Sequence, residues 1–289
     1  MSSWRFDTEK TRERYEALQR FYRGQGLNAD QFSCKFYEQC SGSQKPGTVK
    51  QYSGGTAGLA PLYDVFYRDK PIRILIVGKE SAYEPVLPFN TADNFDVRSK
   101  QVVDTISRRK RNNHIIGTLI TLQKIFEAES DYLYACYALT NALRCAFQKK
   151  SDAHKRSKLT DTRTMRVNCS PYLRDEIRIL EPTLIIIQGS WAIADRPTLV
   201  ERLADGYGIP KQPKKNVKNG KYGLYEFADF MLITSPHPSI LPDWKKNFAP
   251  DTLWPMIDYL KDSEYLPRIT PEDATLLDQM IVEAAEFEI

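Results

Sequence analysis

Four short segments hold most of the side chains that could do chemistry. They are Val77-Gly78-Lys79-Glu80-Ser81-Ala82-Tyr83, then Leu139-Thr140-Asn141-Ala142-Leu143-Arg144-Cys145, then Cys169 with the run that ends Ile187-Gln188-Gly189, and last Ser235-Pro236-His237-Pro238-Ser239-Ile240-Leu241. A carboxylate such as Glu80, or Glu84 further on, can assist water or stabilise a developing cation. Either can also do no more than cap a helix start. The amide of Asn141 donates and accepts at once, and its ordinary alternative is to satisfy nearby backbone. His237 is held between two prolines, and a neutral imidazole can stabilise a forming anion without giving up its proton. In a cytosolic chain the five cysteines, Cys34, Cys40, Cys136, Cys145 and Cys169, read as buried residues, metal ligands or catalytic groups rather than disulfides. Three histidines, His114, His154 and His237, are too few for a His-rich metal site.

These segments need elements to position them. The polar run 7–23 reads as a helix, with Tyr15, Leu18 and Phe21 on its apolar face. Residues 41–59, rich in Gly, Ser and Thr, read as loop. Residues 72–77 are continuous, β-branched and bounded by Pro71 and Gly78, the pattern of a buried strand. A helix over 115–127 and a second strand over 133–139 follow, with Cys136 as a core residue of that strand. Ser170 is positioned to cap a helix opening at Pro171, on which Leu173, Ile177 and Leu180 recur at helical spacing. Pro182 stops it, residues 184–187 form a third strand, and Gly189-Ser190 turns the chain into another helix. Residues 230–234 are a fourth strand, 250–261 a helix, and Thr270-Pro271-Glu272-Asp273 opens a final acidic helix. Strands alternating with helices predict an α/β fold with a central, mostly parallel sheet of about four strands covered on both faces. Ligands in such folds sit beyond the carboxyl ends of the strands, which is where the polar clusters fall.

Composition and charge narrow the function. Hydrophobic residues at 42% and charged residues at 27% exclude intrinsic disorder. No apolar run approaches the roughly 20 residues that span a bilayer. The opening Met-Ser-Ser-Trp-Arg-Phe-Asp lacks the apolar core of a secretory signal, so a cytoplasmic location is expected. The net charge of +4 is uneven: residues 256–289 carry nine acidic and two basic side chains, which leaves +11 on the remainder. Basic residues cluster at Arg108-Arg109-Lys110-Arg111, at Lys149-Lys150 with Lys155, Arg156 and Lys158, at Lys211, Lys214, Lys215 and Lys218, and at Lys245-Lys246. Such a body suits a polyanion such as nucleic acid; its plainer reading is a set of solvated loops.

In this order, the four segments resemble the uracil-DNA glycosylase superfamily over roughly residues 70–260, and most nearly its iron–sulfur, family 4-like branch. The resemblance implies a three-layer uracil-DNA glycosylase-like fold. It also implies a [4Fe–4S] cluster on Cys34, Cys40, Cys145 and Cys169. Cys145 lies four residues after Asn141, Cys169 precedes the expected helix, and Cys34 and Cys40 supply the early pair in a C-x5-C spacing wider than the branch's usual one. Such a cluster needs four thiolates, and a tetrahedral Zn²⁺ on the same ligands is the alternative. The implied catalytic residues are Glu80 and His237. Glu80 stands where the best-known branch keeps a water-activating carboxylate; the iron–sulfur branch carries its acid one residue earlier, where this chain has Lys79. His237 matches the donor to the base oxygen that gains negative charge. The implied substrate-binding set is Gly78, Lys79, Phe89, Asn141, Ser239 and Leu241. In it Asn141 reads the pyrimidine edge, Phe89 stacks on the base with Phe95 as a competitor, and Leu241 is the wedge that fills the gap left by a flipped base or else a buried loop anchor. Residues about 90–114, with Arg108, Arg109, Lys110 and Arg111, look like an inserted basic loop.

The activity this implies is that of a monofunctional DNA glycosylase, which flips a uracil or modified pyrimidine from DNA and hydrolyses its N-glycosidic bond, leaving an abasic site. No lysine is placed as a Schiff-base nucleophile, so lyase activity is not expected. Uracil is the family's usual substrate, and the implied role is DNA repair. The departures at Lys79 and in the insertion leave room for a hypermodified cytosine of phage DNA and a role in antiviral defence. The rival from another class is a non-catalytic binder of modified or single-stranded DNA on the same fold; a nucleoside-processing enzyme is disfavoured by the basic body. DNA is the expected partner, bound through Arg108, Arg109, Lys110, Arg111, Lys245 and Lys246, with neither a membrane nor an obligate protein partner. The expected organisation is an N-terminal helical and loop extension over 1–69 carrying two cluster cysteines, a catalytic core over 70–262, and an acidic C-terminal helix over 263–289.

Overall fold

The computed structural model describes residues 2–27, 32–53, 57–79, 113–149, 159–192, 196–211, 216–217, 222–238 and 241–286. Glu80, Glu84, Phe89, Phe95, Arg108, Arg109, Lys110, Arg111 and Ser239 lie outside them, as does the expected insertion up to residue 112. In chain order the elements are β1 (Trp4–Phe6), α1 (Thr8–Gly24), α2 (Tyr37–Gly42), β2 (Thr48–Ser53), β3 (Gly58–Leu59), β4 (Val65–Tyr67), β5 (Lys70–Ile72), β6 (Ile74–Gly78) and α3 (Asn113–Phe126). They continue with β7 (Tyr137–Asn141), β8 (Cys145–Lys149), β9 (Leu159–Thr160), α4 (Arg163–Leu180), β10 (Leu184–Gln188), α5 (Leu199–Tyr207), β11 (Asn216–Val217), β12 (Tyr222–Glu226), β13 (Met231–Ser235), α6 (Leu253–Asp262) and α7 (Pro271–Glu286).

The strands β7, β6, β10 and β13 lie side by side and run parallel. Antiparallel β12 and β3 extend this central sheet at its two sides. The sequences Ile-Leu-Ile-Val-Gly and Leu-Ile-Ile-Ile-Gln are buried along their whole length, which is why they read as unbroken apolar runs rather than alternating ones. Alternate residues serve two different cores. Ile74, Ile76, Leu184, Ile186 and Ile233 face α3, α6 and α7 through Leu122, Ile125, Ile257, Leu260 and Leu277. Leu75, Val77, Ile185, Ile187 and Leu232 face α1 and α4 through Leu18, Tyr22, Leu173, Ile177 and Leu180. Each fully buried side chain of this kind stabilises the fold by about 1.5–3 kcal/mol. The result is the expected α/β sheet with helices on both faces.

Several local expectations are corrected. Residues 41–59 are not all loop: β2 pairs with β8, and β3 pairs with β7. These pairings satisfy the backbone of a Gly- and Ser-rich stretch through strands distant in sequence, so local composition hides them. The apolar run 72–77 is two strands, divided at Arg73, whose N–H donates to Thr183 Oγ1 at 2.9 Å. Residues Asp131–Cys136 form a 3-10 turn capped by Ser130, and the strand begins only at Tyr137 and runs on to Asn141. Cys136 therefore closes that turn, although it is fully buried as expected. The helix expected from Pro171 begins at Arg163, capped by Thr162, whose hydroxyl accepts from the Met165 N–H at 3.2 Å. Pro171 lies inside it, and Cys169 is within the helix rather than ahead of it. An interior proline costs about 3 kcal/mol; burial of Met165, Cys169, Tyr172 and Leu173 on that helix offsets it. After Gly189 the described residues form a turn, Ser190–Ala192, and a helix from Leu199, where Thr198 and Glu201 form a reciprocal cap.

The layers are locked by an ion pair with no exposure to solvent on either side chain, Arg144 to Glu176. The guanidinium is bidentate, at 2.6 Å to Oε1 and 2.8 Å to Oε2. Thr140 donates to Oε2 at 2.8 Å and Tyr22 donates to Oε1 at 2.7 Å, while the Tyr22 hydroxyl accepts from the Ala57 N–H at 2.8 Å. Removing one partner strands a buried charge, which costs about 3–5 kcal/mol. Glu176→Ala is expected to lose stability of that order in urea unfolding, and Arg178→Ala, at an exposed pair on the same helix, is expected to lose under about 1 kcal/mol.

Candidate active site

Parallel register places the carboxyl ends of four strands in one row. Gly78 is opposite Asn141, Ile187 is opposite Val77, and Gln188 is opposite Ser235. Across the sheet the row therefore reads Asn141, Gly78, Gln188, Ser235. By the alternation of the two cores, all of them belong to the α3 side. Gly78 is required there: a Cβ on it would stand 2.7 Å from Asn141 Oδ1, so the amide of Asn141 leans over the glycine. The two loops are also stitched by backbone, with Ala142 N–H donating to Gly78 O and Leu143 N–H to Lys79 O, both at 2.9 Å. The next strand end is held by the Gln188 amide, which donates to Thr118 Oγ1 of α3 at 3.3 Å.

His237 follows the end of β13 by two residues. Its loop is held from behind by the buried Trp244, whose indole N–H donates to Pro236 O at 3.2 Å. Its ring stacks on that of His114, at the start of α3, with centroids 5.1 Å apart and planes 16° from parallel. His237 as a whole is exposed, but its surroundings still desolvate the ring, and its pKa lies below the ordinary 6.5. A neutral imidazole at physiological pH follows. Gly189, with φ +124°, lets Trp191 and the His237 Cβ approach where a side chain would intervene.

Lys79 is turned aside, bound to Asp161 at 2.6 Å, and Arg166 holds the other oxygen of the same carboxylate at 2.8 Å. Leu241 is half buried and packs onto the core beside Gly117 of α3. Lys245 and Lys246 are exposed on the turn that follows the His237 loop.

The four expected ligand cysteines are all buried. Cys40, Cys145 and Cys169 share one small cluster with Leu143, Phe147 and Met165. Cys34, Cys40 and Cys169 lie close enough to act on one another electrostatically. Cys169 Sγ accepts from the Arg144 N–H, and Cys40 Sγ from the Asn168 amide, each at 3.5 Å, and Cys34 lies 3.4 Å from the Tyr172 hydroxyl. Burial pushes the Cys169 thiol up to about 12 and raises Cys40 in the same direction. Among the described residues no group of three or more His, Cys, Asp or Glu side chains converges on a point as a single ion requires. Four buried cysteines with N–H donors aimed at two of the sulfurs form a donor set of the composition a four-thiolate cluster needs.

The structure thus brings Gly78, Asn141 and His237 to one end of the sheet and puts Cys40, Cys145 and Cys169 in one small buried cluster with Cys34 close by. Sequence reasoning missed His114 as the neighbour of His237, and Asp161 as the partner of Lys79. His114 was legible only as the residue at the mouth of a helix; Asp161 carried no local signal. Among the described residues no helix is long and apolar enough to cross a membrane. Comparison with curated proteins finds no match. Among solved structures the chain is similar to wild-type SMUG2 from Pedobacter heparinus, at 11% identity and a TM-score of 0.39, over 69% of this chain and 79% of that one. The sequence model of the uracil DNA glycosylase superfamily matches residues 66–261, well over half of the chain, and the protein belongs to that superfamily.

Proposed function

We propose that the protein is a monofunctional DNA glycosylase that releases uracil or a modified pyrimidine, the hypermodified cytosines of phage DNA included, and that on phage DNA it would act in defence. The observation that carries this reading is the amide of Asn141, held over Gly78 at the strand ends, with a neutral His237 on the loop after β13 at the same end of the sheet. Hydrolysis of the N-glycosidic bond leaves the base with an electron pair and makes the sugar oxocarbenium-like. His237 donates its N–H to the base oxygen that becomes negative, and a neutral imidazole does so without a net proton transfer. Asn141 pairs with the base edge. Glu80 assists the attacking water from the loop after β6. Phosphates are met by the exposed Lys245 and Lys246 and by Arg108–Arg111. Cys34, Cys40, Cys145 and Cys169 hold a [4Fe–4S] cluster, which would tie the N-terminal segment to the loop after β7 and to α4.

Base release from DNAs containing uracil, hypoxanthine, hydroxymethylcytosine and its glucosylated form tests the reading. At least one base should be freed, with alkali-labile sites left behind; DNA binding with no release from any of them would favour a binding protein instead. In single-turnover assays His237→Ala and Asn141→Ala should each slow release about 10²-fold or more, with DNA affinity nearly unchanged for His237→Ala.

The neutrality of His237 has its own check. Its NMR titration midpoint should fall below 6.5. The sign of the linked stability follows. Above 6.5 the ring is neutral whether folded or not; below it the unfolded chain takes up the proton first, so the contribution is lost as pH falls through the folded midpoint.

For the cluster, anaerobically purified protein should be brown and contain iron. Loss of colour in Cys169→Ser, and its retention in Cys136→Ser, would assign the ligands. Stoichiometric zinc in a colourless preparation would replace the cluster with a single-ion site.

A further inference from the structure

Gln188 is fully buried at the carboxyl end of β10. Its amide nitrogen donates to Thr118, and its carbonyl oxygen Oε1 has no partner among the described residues. A buried acceptor left unpaired costs about 1–3 kcal/mol, so a strand-end glutamine in this state asks for an explanation. An apolar residue would fit the run Leu-Ile-Ile-Ile that leads into it.

The register supplies one. Gln188 and Asn141 flank Gly78 from either side, on strands two steps apart, which is about 10 Å at the usual strand spacing. Gly78 puts no side chain between them, and Asn141 already leans into that gap. On the outer side His237 follows the strand paired with β10, and its Cβ lies close to Gly189, the neighbour of Gln188. Thr118, which fixes the Gln188 amide, stands one helical turn after His114, the ring stacked on His237. Two amides therefore flank one glycine-floored gap, and the imidazole stands on the far side of Gln188 from it.

We infer that Gln188 is a second reader of the base, its Oε1 accepting an N–H from the edge of a pyrimidine whose other side meets Asn141. This rests on the glycosylase reading and adds the specificity: a base offering an N–H at that edge is admitted, and one methylated there is refused. Asn141 can present donor or acceptor, whereas Gln188, with its amide nitrogen turned to Thr118, presents its oxygen as an acceptor.

The test uses the full chain and duplex DNA carrying a 2′-fluorinated nucleotide, which resists cleavage, with uracil or N3-methyluracil as the base. Wild-type protein should bind the N–H-bearing base roughly tenfold more tightly, the size of one net hydrogen bond. Gln188→Met, similar in shape without the polar groups, should bring the two affinities close to parity. Gln188→Glu, which keeps an acceptor, should preserve a preference. The melting temperature of Gln188→Met should hold or rise, since an orphan buried acceptor is removed. A preference unchanged in Gln188→Met would overturn the assignment, as would equal wild-type affinities for the two bases or a large fall in melting temperature. Selective binding by a wild-type protein that releases no base would instead refute the glycosylase reading and leave Gln188 as a reader.

Discussion

The interaction on which the site depends is the buried Arg144–Glu176 pair. An ion pair without solvent stabilises little relative to apolar packing of the same volume, but it is expensive to break. Its consequence here is positional. Thr140 and Arg144, both bonded to Glu176, bracket Asn141 in sequence, so the strand end and the loop after it cannot drift from α4. Tyr22 brings α1 to the same carboxylate. The backbone N–H of Arg144 points at Cys169 Sγ, and Cys145 is the next residue. A single carboxylate on α4 thus sets the place of the Asn141 amide and of two cysteines.

The second constraint is the pleat. In a sheet buried on both faces, alternate residues must satisfy two different cores, and a slip by one residue would exchange them. On the α3-facing side the pattern is apolar until the last position of each central strand, where it changes to Asn141, Gly78, Gln188 and Ser235. These residues are in line because the apolar positions before them are in line. The placement of polar groups is in this sense a by-product of core packing, and the glycine among them keeps the line open.

The central strands were legible because a doubly buried strand is written as an unbroken β-branched run, and β6 and β10 have that form. Their helices were legible from apolar spacing. The flanking strands β2, β3 and β8 were not, since they are made by long-range pairing between stretches of ordinary loop composition. The start of α4 was misplaced because Ser170-Pro171 is a good local opening signal, and only burial of Met165 and Cys169 shows that the helix has begun earlier. At the site, Asn141, Gly78 and His237 could be found because each ends or follows a strand. Lys79 looked like part of the same group, but its partner Asp161 is 82 positions away and nothing local announces it. Arg144 and Glu176 were passed over for the same reason: each alone resembles a surface charge.

On the proposed reading, charge is distributed so that holding a polyanion and distinguishing its bases are separate tasks. The row at the strand ends is made of neutral side chains, and the buried ion pair behind it cancels its own charge. The excess of positive charge, +11 over residues 1–255, is carried largely by clustered lysines and arginines such as Lys245 and Lys246, which are exposed beside the His237 loop. Phosphate contacts of that kind give affinity and orientation without sequence information, and they weaken as salt rises. Neutral amides in a desolvated row do the opposite: they add little to affinity but reject a mismatched edge, because a buried group left unpaired costs more than a pair gains. A cation in that row would pull the phosphate backbone toward the strand ends and blur the distinction. Lys79, one residue past Gly78 and paired with Asp161 beside the start of α4, adds no such charge to the row.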